Sequence, residues 1–163
     1  MISVFLIVAI LGVFPMTVSA NDYLEISAVG DIMMGTTYPE VTLPPDDGKG
    51  IFDKVKDEFK GVDIVFGNLE GPLIDEGKTD KCEGSTSGQC FAFKTPVRYV
   101  QYLKDIGFNV MSIANNHSLD FGLEGIGNTI NILNSMDIKP VGGKSITYLE
   151  MKGKRVVISG FSF

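Results

Sequence analysis

From residue 21 onward, short apolar runs alternate with stretches of helical periodicity, the pattern of an α/β fold on a largely parallel sheet. Leu24, Ile26 and Ala28 alternate with Glu25 and Ser27 as in a strand, which Gly30-Asp31 ends. Ile51, Phe52, Val55 and Phe59 recur at helical spacing with Asp and Lys between them, so a first helix is predicted there, stopped by Gly61. Val62 to Phe66 reads as a buried second strand. Thr95 and Pro96 supply an N-cap and first helical position for a second helix, which turns Val97, Val100 and Leu103 inward and ends at Gly107. Phe108 to Ile113 is a third strand, and Leu123, Ile126, Ile130 and Leu133 mark the inward stripe of a third helix. Ile146 to Ser159 reads as a hairpin turning near Lys152-Gly153-Lys154, with the β-prone Val156, Val157 and Ile158 on the return. Leu43 to Gly50, rich in Pro and Gly, is a loop within one domain.

The first twenty residues stand apart. Ile2 to Val13 is almost wholly apolar, Pro15 breaks the run, and Val18-Ser19-Ala20 offers the small residues of a cleavage site. Residues 1–20 are predicted as a signal peptide, with the mature chain starting at Asn21. The alternative is an uncleaved N-terminal membrane anchor, because the leader has no Lys or Arg and its apolar run is close to the ~17 residues a bilayer requires. Either places the remainder outside the cytoplasm, in the periplasm, cell envelope or extracellular space. There Cys82 and Cys90 are expected to pair, stapling a polar excursion that cannot bury itself; in a reducing compartment they would stay free thiols. Closing so short a loop stabilises by about 2 to 3 kcal/mol. The length of 163 residues, 44% hydrophobic and 21% charged, fits one globular domain. A net charge of -6 supplies no basic patch, which argues against a nucleic-acid partner. An anionic substrate would have to meet a metal or a local group of Lys and Arg.

Each predicted strand runs directly into a compact polar cluster. These are Gly30-Asp31-Ile32-Met33-Met34-Gly35, Gly67-Asn68-Leu69-Glu70-Gly71, and Asn115-Asn116-His117-Ser118-Leu119-Asp120-Phe121-Gly122. In a parallel sheet such ends share one edge, where α/β proteins hold their ligands. Carboxylate, amide oxygen and imidazole suit a divalent metal such as Mn, Fe, Zn or Mg. Taken one at a time, Asp31 also reads as a turn residue, Asn68 and Glu70 as loop residues beside Gly-Pro, and the Asn-Asn-His group as a structural hydrogen-bond network. Met33 and Met34 read as packing.

In this order the three motifs resemble the CapA family, associated with poly-γ-glutamate capsule synthesis, from about Tyr23 to Phe163. By fold that family belongs to the calcineurin-like metallophosphoesterases. The resemblance implies a layered α/β sandwich, of which residues 21–163 form the N-terminal part, with largely parallel strands and a C-terminal hairpin. It implies that Asp31, Asn68, Glu70 and Asn116 are metal ligands, that His117 is the candidate general acid, and that Asp120 orients it. Asn115 is the candidate substrate-binding residue. Met33 stands where the family pattern has a histidine and Asn68 where it has a bridging aspartate, while His117 is the only histidine of the chain. The expected role is synthesis, export or processing of an anionic polymer such as poly-γ-glutamate, alongside membrane proteins of capsule synthesis or export, by metal-assisted hydrolysis. A non-catalytic binding module on the same fold, or an inactive truncated remnant, are the alternatives.

Overall fold

The computed structural model describes residues 23–83, 90–143 and 146–162. The predicted leader lies outside the described residues. No helix among those described is long and apolar enough to cross a membrane.

Four strands, β1 (Ile26–Ile32), β2 (Ile64–Leu69), β3 (Val110–Ser112) and β4 (Lys139–Val141), pair in parallel in the order β1-β2-β3-β4. A separate antiparallel hairpin joins β5 (Thr147–Met151) to β6 (Lys154–Ile158) through Lys152 and Gly153. The strands of a parallel sheet are covered on both faces, so their runs are continuously apolar and consecutive residues part company. Val65 and Leu69 of β2 and Met111 of β3 join the cluster formed with α1 (Val100–Ile106) and α2 (Gly122–Ser135). Their neighbours Ile64, Phe66 and Val110 instead meet Leu149, Met151, Val156 and Ile158 of the hairpin. The result is three layers, with helices, parallel sheet and hairpin in turn. This is the α/β architecture expected above, and it is consistent with a metallophosphoesterase-like sandwich.

Several elements depart from the sequence reading. No α-helix forms over 51–59: the segment runs through turns into a 3₁₀ turn, Lys56–Phe59, and Ile51 and Val55 are exposed. Phe52 and Phe59 still pack, both against Phe108, so periodicity marked the buried side chains but not the backbone. β1 continues beyond Gly30-Asp31, and its Ile26 is exposed on an edge strand. Thr95 does not cap the second helix. It bridges Leu73 and gives its hydroxyl to the carbonyl of Gly35, while the distant Asp75 carboxylate accepts the Val97 N–H. Helix α1 does stop at Gly107, whose φ of 104° lets its N–H return to the Lys104 carbonyl. Leu123, expected in the core, is exposed; the buried face of α2 is Gly125, Thr129 and Leu133. Strand β4 went unread because it is three residues long and contains Pro140.

Candidate functional site

The side chains at the sheet edge are aimed by register. From Ile26 to Asp31 β1 takes five steps while β2 takes four from Ile64 to Asn68, so one extra residue of β1 bulges out between Ala28 and Asp31. Without it Gly30 would face Asn68. With it, Asp31 lies directly beside Asn68, and Asn68 in turn beside Ser112. The Asn68 amide nitrogen donates to Asp31 Oδ1 at 2.8 Å and to Glu70 Oε2 at 3.0 Å. One amide therefore sits between two carboxylates that would otherwise repel.

The loop after β3 is organised by Asn115 and Ser118. Asn115 Nδ2 donates to Asn68 Oδ1 at 3.0 Å and to the Leu69 carbonyl at 2.8 Å, and its Oδ1 accepts the His117 N–H at 3.0 Å. Both amide hydrogens are thus spent on holding this loop to β2. The Ser118 hydroxyl donates to the Ile113 carbonyl and accepts the Asn115 N–H. This turn presents His117, with Nδ1 2.8 Å from Asp120 Oδ2 and Nε2 3.8 Å from Glu70 Oε1. An imidazole nitrogen that close to a carboxylate carries the proton, so Nδ1–H donates to Asp120 and Nε2 turns toward Glu70.

The Asp120 side chain is 0% exposed. It survives as a buried acceptor because two further donors reach it, the Phe93 N–H at 2.7 Å and Lys81 Nζ. Lys81 Nζ also lies 3.2 Å from the Asn116 carbonyl and 3.3 Å from His117 Nδ1. The Phe93 ring stacks on the imidazole with centroids 4.2 Å apart. Its approach needs Gly71, where φ is 94° and an added Cβ would lie 2.8 Å from Phe93 Cβ.

Of the residues singled out by sequence, Asp31, Asn68, Glu70, Asn115, His117 and Asp120 come together through these contacts. Asn116 does not join them by its side chain. It is exposed and lines a cleft of about 330 Å³ with Leu119 and Phe161. Met33 folds back so that its sulfur accepts the Gly35 N–H at 3.2 Å. Cys82 and Cys90 form the expected disulfide, with Cα atoms 5.6 Å apart. Sequence reasoning missed Lys81 and Phe93. The available signal was their position, since they flank the stapled excursion and must return to the domain where it does.

For a metal the donor chemistry fits in kind, being oxygen-rich with one imidazole. It does not close into a full shell: among the described residues no three carboxylate, imidazole or thiolate groups converge closely enough to hold an ion.

A family model described as bacterial capsule synthesis protein PGA_cap matches residues 25–163. The chain belongs to that family. It is 30% identical over 151 residues to the PGA biosynthesis protein CapA of Bacillus subtilis, covering 88% of this chain and 38% of that protein. It is 32% identical over 158 residues to the capsule biosynthesis protein CapA of Bacillus anthracis, covering 93% of this chain and 38% of that protein. The PGA_cap chain thus spans well under half the length of these curated relatives.

Proposed function

We propose that this chain contributes a metal-dependent hydrolase site of the phosphoesterase type to the synthesis, export or processing of an anionic capsule polymer such as poly-γ-glutamate. The setting is the cell envelope or beyond, in company with membrane proteins of capsule synthesis or export. The CapA relatives and the disulfide support that setting.

The observation that carries the hydrolase reading is the line of contacts from Asp120 through His117 to Glu70, Asn68 and Asp31. Asp31 and Glu70 would hold a divalent cation (Mn, Fe, Zn or Mg); for Asn68 and Asn116 to add amide oxygens, the Asn68 amide would have to turn over from its bonds to the two carboxylates and the Asn116 side chain to swing in from its cleft. When bound, the cation supplies Lewis acidity at the scissile centre and acidifies water. The protein's own share is orientation and proton transfer. Asp120 fixes Nδ1 of His117, so the ring offers only Nε2, and that nitrogen moves a proton on the side where the carboxylates gather.

Elemental analysis and hydrolysis of a phosphomonoester and a γ-glutamyl oligomer test the reading. Asp31→Ala is expected to lose bound metal, and His117→Ala to keep it while turnover drops by about 10²-fold or more. Unchanged metal and turnover in both variants would sink the assignment.

A second reading, a polymer-binding module without catalysis, is favoured by Met33, which is turned onto Gly35, and by the incomplete donor set. It predicts saturable polymer binding and no hydrolysis of either substrate.

A further inference from the structure

The excursion that the disulfide closes begins and ends on the same buried carboxylate. Lys81, next to Cys82, reaches Asp120 Oδ1, and Phe93, three residues after Cys90, gives its N–H to Asp120 Oδ2. The two arms touch each other at the staple, where Cys90 Sγ lies 3.6 Å from the Lys81 carbonyl. Beyond Asp120 both arms also meet His117, Lys81 with its ammonium 3.3 Å from Nδ1 and Phe93 with its ring.

We propose that Lys81 is a positioning residue, held in place by the Cys82–Cys90 crosslink, that fixes the tautomer and orientation of His117 through Asp120. The physical reason is a competition for the carboxylate. A wholly buried Asp120 needs a counter-charge, and the Phe93 N–H and the imidazole alone bring none while the ring is neutral. Lys81 supplies it on Oδ1, while Oδ2 accepts the Phe93 N–H and Nδ1–H. The same ammonium also donates to the Asn116 carbonyl, which ties it to the backbone beside the ring. Without the lysine, Oδ1 loses its partner and only the Phe93 N–H is left to hold the carboxylate against the ring, so the ring exchanges its two tautomers more freely. Without the crosslink, the segment that carries the lysine is no longer tied at Cys82.

The consequence for turnover rests on the hydrolase reading above, but the positioning can be tested without it. His117 is the only histidine, so ring ¹⁵N and ¹H resonances of the full chain report on it alone. In mildly alkaline buffer the expected spectrum is that of the Nδ1–H tautomer, the minor form of free imidazole, with a slowly exchanging Nδ1 proton. Lys81→Met is expected to lose that proton signal and give averaged ring shifts, and Lys81→Arg to restore both. Cys82→Ser with Cys90→Ser, which changes no charge, is expected to move the spectrum in the same direction as Lys81→Met, and it decides the matter should Lys81→Met fail to fold. A wild-type ring spectrum in Lys81→Met, or in the serine pair, overturns the proposal. Absence of hydrolysis by the wild-type chain overturns the function while leaving these spectra as they are. If hydrolysis is measured, Lys81→Met should lower kcat with KM unchanged and Lys81→Arg should recover it.

Discussion

At Gly67, in the middle of β2, an added methyl group would lie 3.1 Å from Phe108 Cε1 and 3.3 Å from Val29 Cγ2 and would overlap the end of Ile32. Val29 and Ile32 belong to β1 in and just after its bulge, so the missing side chain at Gly67 leaves room for them against β2. Gly67→Ala is expected to cost about 1 to 3 kcal/mol by overpacking, read as a lower urea midpoint with an unchanged slope. The site residues show the same dependence on neighbours. Asn115 looked from sequence like a group free to meet substrate, yet its amide is spent on Asn68, Leu69 and the His117 backbone. Nothing within one cluster tells how many partners the other two will supply.

Helix α2 shows how an element can be read correctly and faced wrongly. Its apolar content is legible, but the apolar spacing points inward through Leu123, which is 83% exposed. The buried line runs through Gly125, where an added Cβ would lie 2.8 Å from Phe121 Cβ and 3.5 Å from the Pro72 ring, and through Thr129, which meets the Leu73 backbone. Thr129 serves both sides, donating to the Gly125 carbonyl at 2.8 Å and accepting the Leu73 N–H at 2.9 Å. Thr129→Val keeps the shape and strands that buried N–H, so it should destabilise by about 1 to 3 kcal/mol. Leu123→Lys, at the position the pattern favoured, should shift stability by no more than about 0.5 kcal/mol. Thermal melts of the two variants side by side check both outcomes.

Across the molecule, two carboxylates latch separate layers together. Asp47 holds the loop before β2 to the 3₁₀ turn Val97–Tyr99 that leads into α1, taking a forked pair of hydrogen bonds from Arg98 and one from the Tyr99 hydroxyl at 2.8 Å. The Arg98 hydrogen bond, and then that of Tyr99, pull its carboxyl down to about 2. Burial, and then its bond to Asp47, push the Tyr99 hydroxyl up to about 12. Asp63 ties the start of β2 to the hairpin turn through Lys152, and that bond, followed by the Glu25 N–H, lowers its carboxyl too. A carboxyl lowered on folding adds stability above its ordinary value and loses it as the pH falls toward the folded one. The acid limb of the stability curve should therefore steepen between 3.8 and about 2, and Asp47→Asn should flatten it in that window. Denaturant midpoints measured over that range decide it, and a variant whose midpoints fall as steeply with acid as the wild type's would contradict the latch.

The sequence by itself determined the class of fold, the first three strands of the parallel sheet, the hairpin and its turn, and the three polar clusters that place the chain among capsule synthesis proteins. These are local properties: alternation, turn chemistry and motif order are written within a few residues of where they act. What only the tertiary structure decided is non-local. The bulge that selects Asp31 over Gly30 is a matter of register between two strands far apart in sequence. The backbone of 51–59 was set by packing against Phe108, and the buried face of α2 by the chain that crosses it. The disulfide was expected, but its purpose was not, because only folding shows that Lys81 and Phe93 return to one buried carboxylate beside His117.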